Sequence, residues 1–494
     1  MSNPLALLPL VIAAGGGRIS AAGESAPAYE AQQLIAAGLT LLQRSAPLVR
    51  ALSGRRSAIL LPTSPAFLTA LAASDGRGAV LVNPLAAPAE IAYQCDDAKV
   101  GAIFTITAFA SRLPPGLPAV YLDAAPNRAT VTADGRTTDV DLGSHHGLTL
   151  EGERDVEGRD EELAVVYTSA MRGRALGAIL THRNLLANAR STIEAMAITR
   201  DDHVLAVLPY AHLFGLTVTA TAPLLVGGRV TTVDRFNPLK AADLLLSGVT
   251  MLTGVPAVYH ALLTVIARKG LDLRHSAIRL CICGGAALPV ELQDRWADVT
   301  GHELRQGYGL TEAGPVCLVN RADRPNVRGT MGIALPRVEV GIFPPARYNN
   351  GVTAEPEVES LADGVAGEIC IRGDNVFSGY VGAEAGLPRR GAWLCTGDDG
   401  LREPDGSVRF LGLLKPMFTR NGFNVYPREV ERVVSAMPGV VRADVTSRPD
   451  PVKENEVVLH VVGSVGEDDV KRWCEEHLSA YKQPSVIEIV PVNA

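Results

Sequence analysis

Short runs of apolar, β-branched residues alternate with helix-length segments along this chain, and that alternation restricts its fold more than any single motif. Ser57–Pro62 is a candidate buried strand, Ala66–Ala73 an apolar helix and Ala79–Val82 the next strand; Ala89–Cys95 and Gly101–Thr107 repeat the helix–strand pattern. Strands joined by helices run parallel and cross over right-handedly, so the predicted class is α/β. Upstream, residues 1–60 read as helical, with Leu34, Ile35, Leu39 and Leu42 at helical spacing. Residues 112–160 are rich in Pro, Gly, Asp and Thr and read as connecting strands and loops.

With 494 residues the chain exceeds one core and divides into at least two domains. A net charge of −7 gives no basic surface for nucleic acid. The seven cysteines form no C-x-x-C pair and have no histidines at zinc spacing, which suggests reduced thiols and a cytoplasmic setting. Pro4–Ala14 is apolar but short and lacks a cationic lead. It reads as a helix of the first domain, not as a signal peptide or membrane span.

Four stretches carry chemistry. Leu163–Ala189 runs from a strand at Ala164–Tyr167 through a polar, Gly-bearing loop (Thr168–Gly177) to a helix start at Thr181–Asn184. That order can turn N–H groups and hydroxyls toward an anion, although a plain surface βα connection has the same pattern. Gly307–Pro315 (GYGLTEAGP) is not G-x-G-x-x-G, so the dinucleotide fingerprint is excluded. It holds Thr311 and Glu312, a hydroxyl and a carboxylate suited to a phosphate and a hard divalent cation; the bland alternative is an acidic turn. Gly284 and Gly285, after the strand-like Ile278–Cys283, let a flat ring approach the backbone or simply make a tight turn. Trp393–Gly400 sets Asp398 after a turn. His212, in the apolar run Pro209–Leu216, would by itself be a satisfied core histidine. No G-x-S-x-G elbow is present, which excludes the corresponding hydrolases.

Taken in order, from about residue 25 to 494, these motifs resemble those of the acyl-adenylate-forming (AMP-binding) enzymes: acyl- and aryl-CoA synthetases, peptide-synthetase adenylation domains and firefly-type luciferases. The family phosphate loop is Y-T-S-G-T-T-G-x-P-K-G-[VA]-x-x-[ST]-H-x-N. Tyr167, Thr168, Ser169, Gly173, Gly177, Ala178, Thr181, His182 and Asn184 fall in register with it, whereas Ala170, Met171, Arg172, Ala175 and Leu176 depart. Two hydroxyls and a cation are thereby lost, and Arg172 and Arg174 are placed to restore charge. Tyr308–Glu312 matches Y-G-x-T-E, Gly284–Leu288 the S-G-G-A-x-L segment, Pro209–Gly215 the L-P-x-x-H-x-x-G segment and Tyr481–Pro484 the Y-K-x-P segment.

The resemblance implies a large N-terminal domain (1–412) of parallel-sheet α/β subdomains plus a β-barrel-like subdomain, and a small, mobile α+β C-terminal domain (413–494). It implies that Tyr308 lies against adenine, Thr311 binds the α-phosphate, Glu312 holds Mg²⁺ and Asp398 accepts the ribose hydroxyls. Thr168, Ser169, Arg172, Gly173, Arg174, Gly177, Gly284, Gly285, Ala286 and Gly309 would complete the nucleotide site. His212, Phe214 and Gly215 would border the acyl pocket, with His212 beside Thr311 and Glu312 in the catalytic group. Lys415, Gly422 and Phe423 would face the thiol. ATP, Mg²⁺ and coenzyme A are the implied cofactors.

Where the family hinge reads G-R-x-K-D, this chain has Gly412-Leu413-Leu414-Lys415-Pro416, so a ribose-reaching arginine is a leucine and the pivot aspartate a proline. The family's terminal G-K segment would follow the last residue given, Ala494; lysine is otherwise scarce, leaving Lys415 and Lys482 as substitutes in the small domain. The expected function is an ATP-dependent acid–thiol ligase that converts a carboxylic acid, by the apolar walls near 212–225 and 251–263 a fatty one, to an acyl-adenylate and then an acyl-CoA. An impaired homologue that binds without full turnover, and acyl loading onto a carrier protein, are the alternatives.

Overall fold

The computed structural model describes residues 7–23, 26–74, 78–143, 160–168, 174–346, 358–382, 389–414 and 417–490. Among these, the alternation expected from the sequence is present, and two nine-stranded sheets carry most of it. In the first, Met251–Gly254, Leu280–Cys283 and the start of Leu304–Gly309 run parallel, in the register Gly254–Cys283 and Cys283–Gln306. Each of these strands is buried for most of its length, as parallel strands covered on both faces must be. In the second, Arg56–Ile59, Ala79–Leu81, Val100–Thr105 and Glu162–Thr168 are parallel. The β-barrel-like part is a five-stranded sheet whose strands Val338–Phe343, Gly367–Gly373, Trp393–Arg402 and Val408–Leu413 pair antiparallel.

The C-terminal part has its own core, from Phe418 to Ile489, around Val430, Val434, Val457, Leu459 and Val470. Its three-stranded sheet is Val440–Asp450, Glu454–Gly463 and Val486–Val490, packed with the helices Pro427–Ser435 and Glu467–His477. No helix among the described residues is long and apolar enough to cross a membrane.

Two local expectations change. Residues 1–60 are not only helical: Arg18–Ala21 and Ala28–Glu30 are strands, the first paired in parallel with Arg229–Thr232. Partners some two hundred positions away leave no periodic trace in so short a stretch. The segment after Tyr167 does not pass straight to a helix either. Leu176–Thr181 is a strand antiparallel to Glu162–Thr168, and the helix His182–Met196 starts where it ends. Of the stretch 112–160, strands Ala119–Tyr121, Arg128–Ala133 and Arg136–Asp141 are present and residues 144–159 lie outside the described residues.

Tyr259 shows how the first sheet is tied to its helices. It lies on the helix Pro256–Lys269, fully buried, edge-on to Trp296 at 4.9 Å between ring centroids. Its hydroxyl donates toward the carbonyls of Leu252 (3.1 Å) and Ile282 (2.7 Å), one on each of two neighbouring strands. Tyr259→Phe keeps the ring and removes that donor. The large domain should lose about 1–3 kcal/mol, read as a lower urea midpoint at unchanged slope.

Candidate active site

Strands of the first sheet end together, and the residues beyond their ends are polar or small. Gly284–Ala287 follow Leu280–Cys283, and Tyr308–Glu312 lie at and beyond the end of Leu304–Gly309. Thr168 closes the strand Glu162–Thr168 of the second sheet, and Thr396 and Asp398 come from Trp393–Arg402 of the third. All of them line one cavity of about 760 Å³. A crevice beyond the carboxyl ends of parallel strands is the usual ligand position in such sheets.

Glu312 is held from two sides. Thr168 donates its hydroxyl to Glu312 Oε1 at 3.2 Å, and Tyr380 does so at 2.8 Å. Tyr380 reaches it because its short strand pairs with Ala178 on the far side of the Leu176–Thr181 hairpin strand. Burial first, then the charge on Glu312, pushes the Tyr380 hydroxyl well above its ordinary range, so it stays a donor. Both donors fall on Oε1, and among the described residues no side-chain donor is seen on Oε2. A carboxylate oxygen beside the hydroxyl-bearing Thr311 on a cavity wall fits Mg²⁺, a hard cation that takes oxygen ligands.

The loop carrying Glu312 is pinned by the helix His182–Met196. Thr181 caps that helix by accepting from Asn184 N (3.1 Å), while Asn184 Oδ1 accepts from Thr181 N (3.0 Å). The same Asn184 gives its amide to the carbonyls of Asp374 and Val376, each at 2.8 Å. One turn on, buried Asn188 donates to Ala313 O (3.1 Å) and Val316 O (2.7 Å). His182 Nδ1 accepts from Leu8 N at 3.1 Å. The T-H-x-N signature therefore positions loops and does not face the cavity.

Asp398 is 7 % exposed and accepts the Tyr308 hydroxyl at 2.6 Å. Burial and the Asp398 charge hold that phenol protonated, well above its ordinary range. The turn before Asp398 is fixed by fully buried Glu368, which accepts from Gly397 N (2.9 Å) and Ala346 N (2.7 Å). Glu368, Cys370 and Cys395 bring possible metal-ligand atoms within 4.8 Å of one another, but both Glu368 oxygens serve the backbone there.

Other expected residues divide. Phe214, Gly284, Gly285, Ala286, Gly309, Thr311, Gly422, Phe423 and His212 line the cavity. Gly284 has a physical reason: a Cβ there would sit 3.1 Å from both Gly307 O and the Phe214 ring. Gly215 is not on the wall; it is packed against the carbonyl of Pro209, where only glycine fits. Gly177 is likewise a packing residue, its Cα facing Val165, Val381 and the Tyr167 ring, and Arg174 is exposed beside the cavity without lining it. Ser169, Arg172, Gly173 and Lys415 lie outside the described residues. Lys482 is no free cation: its ammonium is 2.8 Å from Glu90 and 2.8 Å from Glu429. Leu413 lines the cavity directly across the ladder from Asp398. Tyr380 and Glu368 carry no signal in the sequence, since only strand pairing brings either to the site.

Residues 48–381 match the model of the AMP-binding enzyme family, and residues 429–492 match that of the AMP-binding enzyme C-terminal domain. The chain belongs to the AMP-binding enzyme family. It is 32 % identical to a feruloyl-CoA synthase from Amycolatopsis over 88 % of this chain and 84 % of the relative. It is 27 % identical to a long-chain-fatty-acid–CoA ligase of Bacillus subtilis over 88 % of this chain and 82 % of that one. Among solved structures, a malonyl-CoA ligase with methylmalonyl-CoA and AMP bound superposes with a TM-score of 0.79 at 27 % identity, covering 99 % of both chains. This AMP-binding enzyme is an acid–thiol ligase of the acyl-CoA synthetase type, and its cofactors are ATP, Mg²⁺ and coenzyme A.

His212, half-buried on the cavity wall, accepts from Phe214 N at 3.2 Å through Nδ1. Burial pulls its pKa down to about 4. A folded pKa below the unfolded value means that the neutral ring's contribution to stability is complete above about pH 6.5 and is lost as pH falls toward 4. In an NMR titration the His212 ring signal should stay at its neutral position from pH 8 to 5. His212→Asn should flatten the loss of stability over the acid part of that range.

Proposed function

We propose that this AMP-binding enzyme joins a medium-length fatty acid to coenzyme A in two steps on the one cavity: acyl-adenylate formation from acid and ATP, then transfer of the acyl group to the thiol. The observation that carries the reading is the convergence of Tyr308, Thr311 and Glu312, at and beyond the end of one strand, with Asp398 from another sheet and with Gly422 and Phe423 from the C-terminal part, on one cavity. In this reading Tyr308 packs on adenine, Asp398 accepts ribose hydroxyls in place of the Tyr308 proton, and Thr311 orients the α-phosphate. Glu312, oriented by Thr168 and Tyr380, would hold Mg²⁺, which when bound offsets phosphate charge. Catalysis is then positioning and charge stabilisation, with no protein nucleophile.

In this reading the acyl group meets Met196, Ala211, Phe214, Ile282 and Val316, apolar residues of the cavity lining, which supports an apolar acid. One cavity of about 760 Å³ must hold nucleotide, acyl group and thiol arm together, and this favours a medium chain over a long one. The likeness to a feruloyl-CoA synthase supports an aryl acid as the second reading. We place the moving small domain at residues 413–494 and the enzyme in the cytoplasm, in keeping with seven free, buried cysteines. Loading of a carrier protein uses the same first step. The impaired-binder reading draws on Leu413, which offers ribose nothing where the family has arginine.

Acid-dependent pyrophosphate release should appear with Mg·ATP across a panel of C4–C12 and cinnamic acids, peaking at medium chain length. Glu312→Gln should lower it about 100–1,000-fold. Binding without release for every acid overturns the ligase reading for this chain. Leu413→Arg should restore a ribose contact and lower the KM for ATP about tenfold, as a charge-assisted hydrogen bond is worth about 1.5–3 kcal/mol.

A further inference from the structure

Lys482 and Glu90 are far apart in sequence and meet between the two parts of the molecule. Lys482 is 4 % exposed, and its ammonium lies 2.8 Å from Glu429 on its own domain and 2.8 Å from Glu90 on the large one. Ser479 donates its hydroxyl to the other Glu90 oxygen. Burial works against the charge on Lys482, but Tyr481 and the two carboxylates more than offset it and hold the group protonated.

Glu90 is also held from within its own domain. It is the third residue of the helix Pro88–Asp97, and Ala87 N donates to its Oε2 at 2.9 Å. On the other side the contact leads straight to the cavity. Tyr481, next to Lys482, stacks on Phe423 with 4.5 Å between centroids and 19° between planes. Phe423 and Gly422 line the cavity, and Gly422 sits so close to the large domain that a Cβ would come 2.6 Å from Val255 Cγ1. A dry ammonium between two carboxylates adds little net stability against an apolar replacement, but it specifies one arrangement strongly.

We infer that Glu90 is a positioning residue for thiol transfer: by engaging Lys482 and Ser479 it docks the C-terminal domain so that Gly422 and Phe423 close over the cavity. When the domains part, Lys482 keeps Glu429 and Glu90 returns to water, so the contact is lost without stranding a charge. The inference rests on the acid–thiol ligase reading, and its test includes a measurement that needs no turnover.

Spin labels at Leu85→Cys and Val441→Cys, both exposed, report the distance between domains; the native cysteines are all buried. Glu90→Gln should lower the docked population about tenfold, and Ser479→Ala should shift it less in the same direction. In single-turnover assays Glu90→Gln should slow thiol transfer from preformed acyl-adenylate about tenfold while pyrophosphate release changes less than about twofold. Unchanged distance distributions in both variants, or equal loss of both half-reactions without a distance change, overturn the proposal. A shift in distances in a protein that turns over no acid upholds the docking role of Glu90 and overturns the ligase reading alone.

Discussion

Two side-chain amides one helical turn apart, on Asn184 and Asn188, hold the site together. Between them they engage four backbone carbonyls, those of Asp374, Val376, Ala313 and Val316, on segments from two different sheets. Buried carbonyls without donors are costly, so these bonds are specified by the need to satisfy them as much as by any gain. With the segments pinned, Glu312 meets Thr168 and Tyr380 as the geometry presents them. Polar satisfaction at strand ends thus shapes the cavity, and other side chains, Glu312 and Asp398 among them, face it.

The polar residues around the cavity form paired, oriented acceptors. Asp398 and Glu312 each accept from a phenol kept protonated by burial, so each carboxylate is aimed by a fixed donor. Such preorganisation suits phosphoryl chemistry, where little bond-making falls to the protein itself. The C-terminal part adds a cover of glycine and aromatic side chains, and its charged contact through Lys482, Glu429 and Glu90 lies on the wall of the same cavity.

Several site residues are legible in the amino-acid order alone because their motif is local. Tyr308, Thr311 and Glu312 occupy one short turn, and Asp398 follows a glycine turn of its own; in the structure all four line one cavity, and Tyr308 donates to Asp398. Gly177 and Gly215, expected to face ligands, instead allow backbone and side chains to pack closely, because glycine answers both needs and its neighbours in space decide which. Lys482, expected as a substitute catalytic cation, is paired twice. Tyr380 and Glu368 escape a sequence reading, since each acts on a partner brought near by strand pairing.

By itself the amino-acid order determined the α/β class and the strand ends that carry the motifs, because periodicity and turn chemistry are short-range properties, and the order of those motifs carried the family resemblance. Only the tertiary structure decided which hydroxyls aim at Glu312, why Thr181, His182 and Asn184 brace loops, and how Glu90 meets Lys482. Those contacts join residues tens to hundreds of positions apart, and long-range pairing of polar groups is settled by packing and burial, which no local pattern encodes.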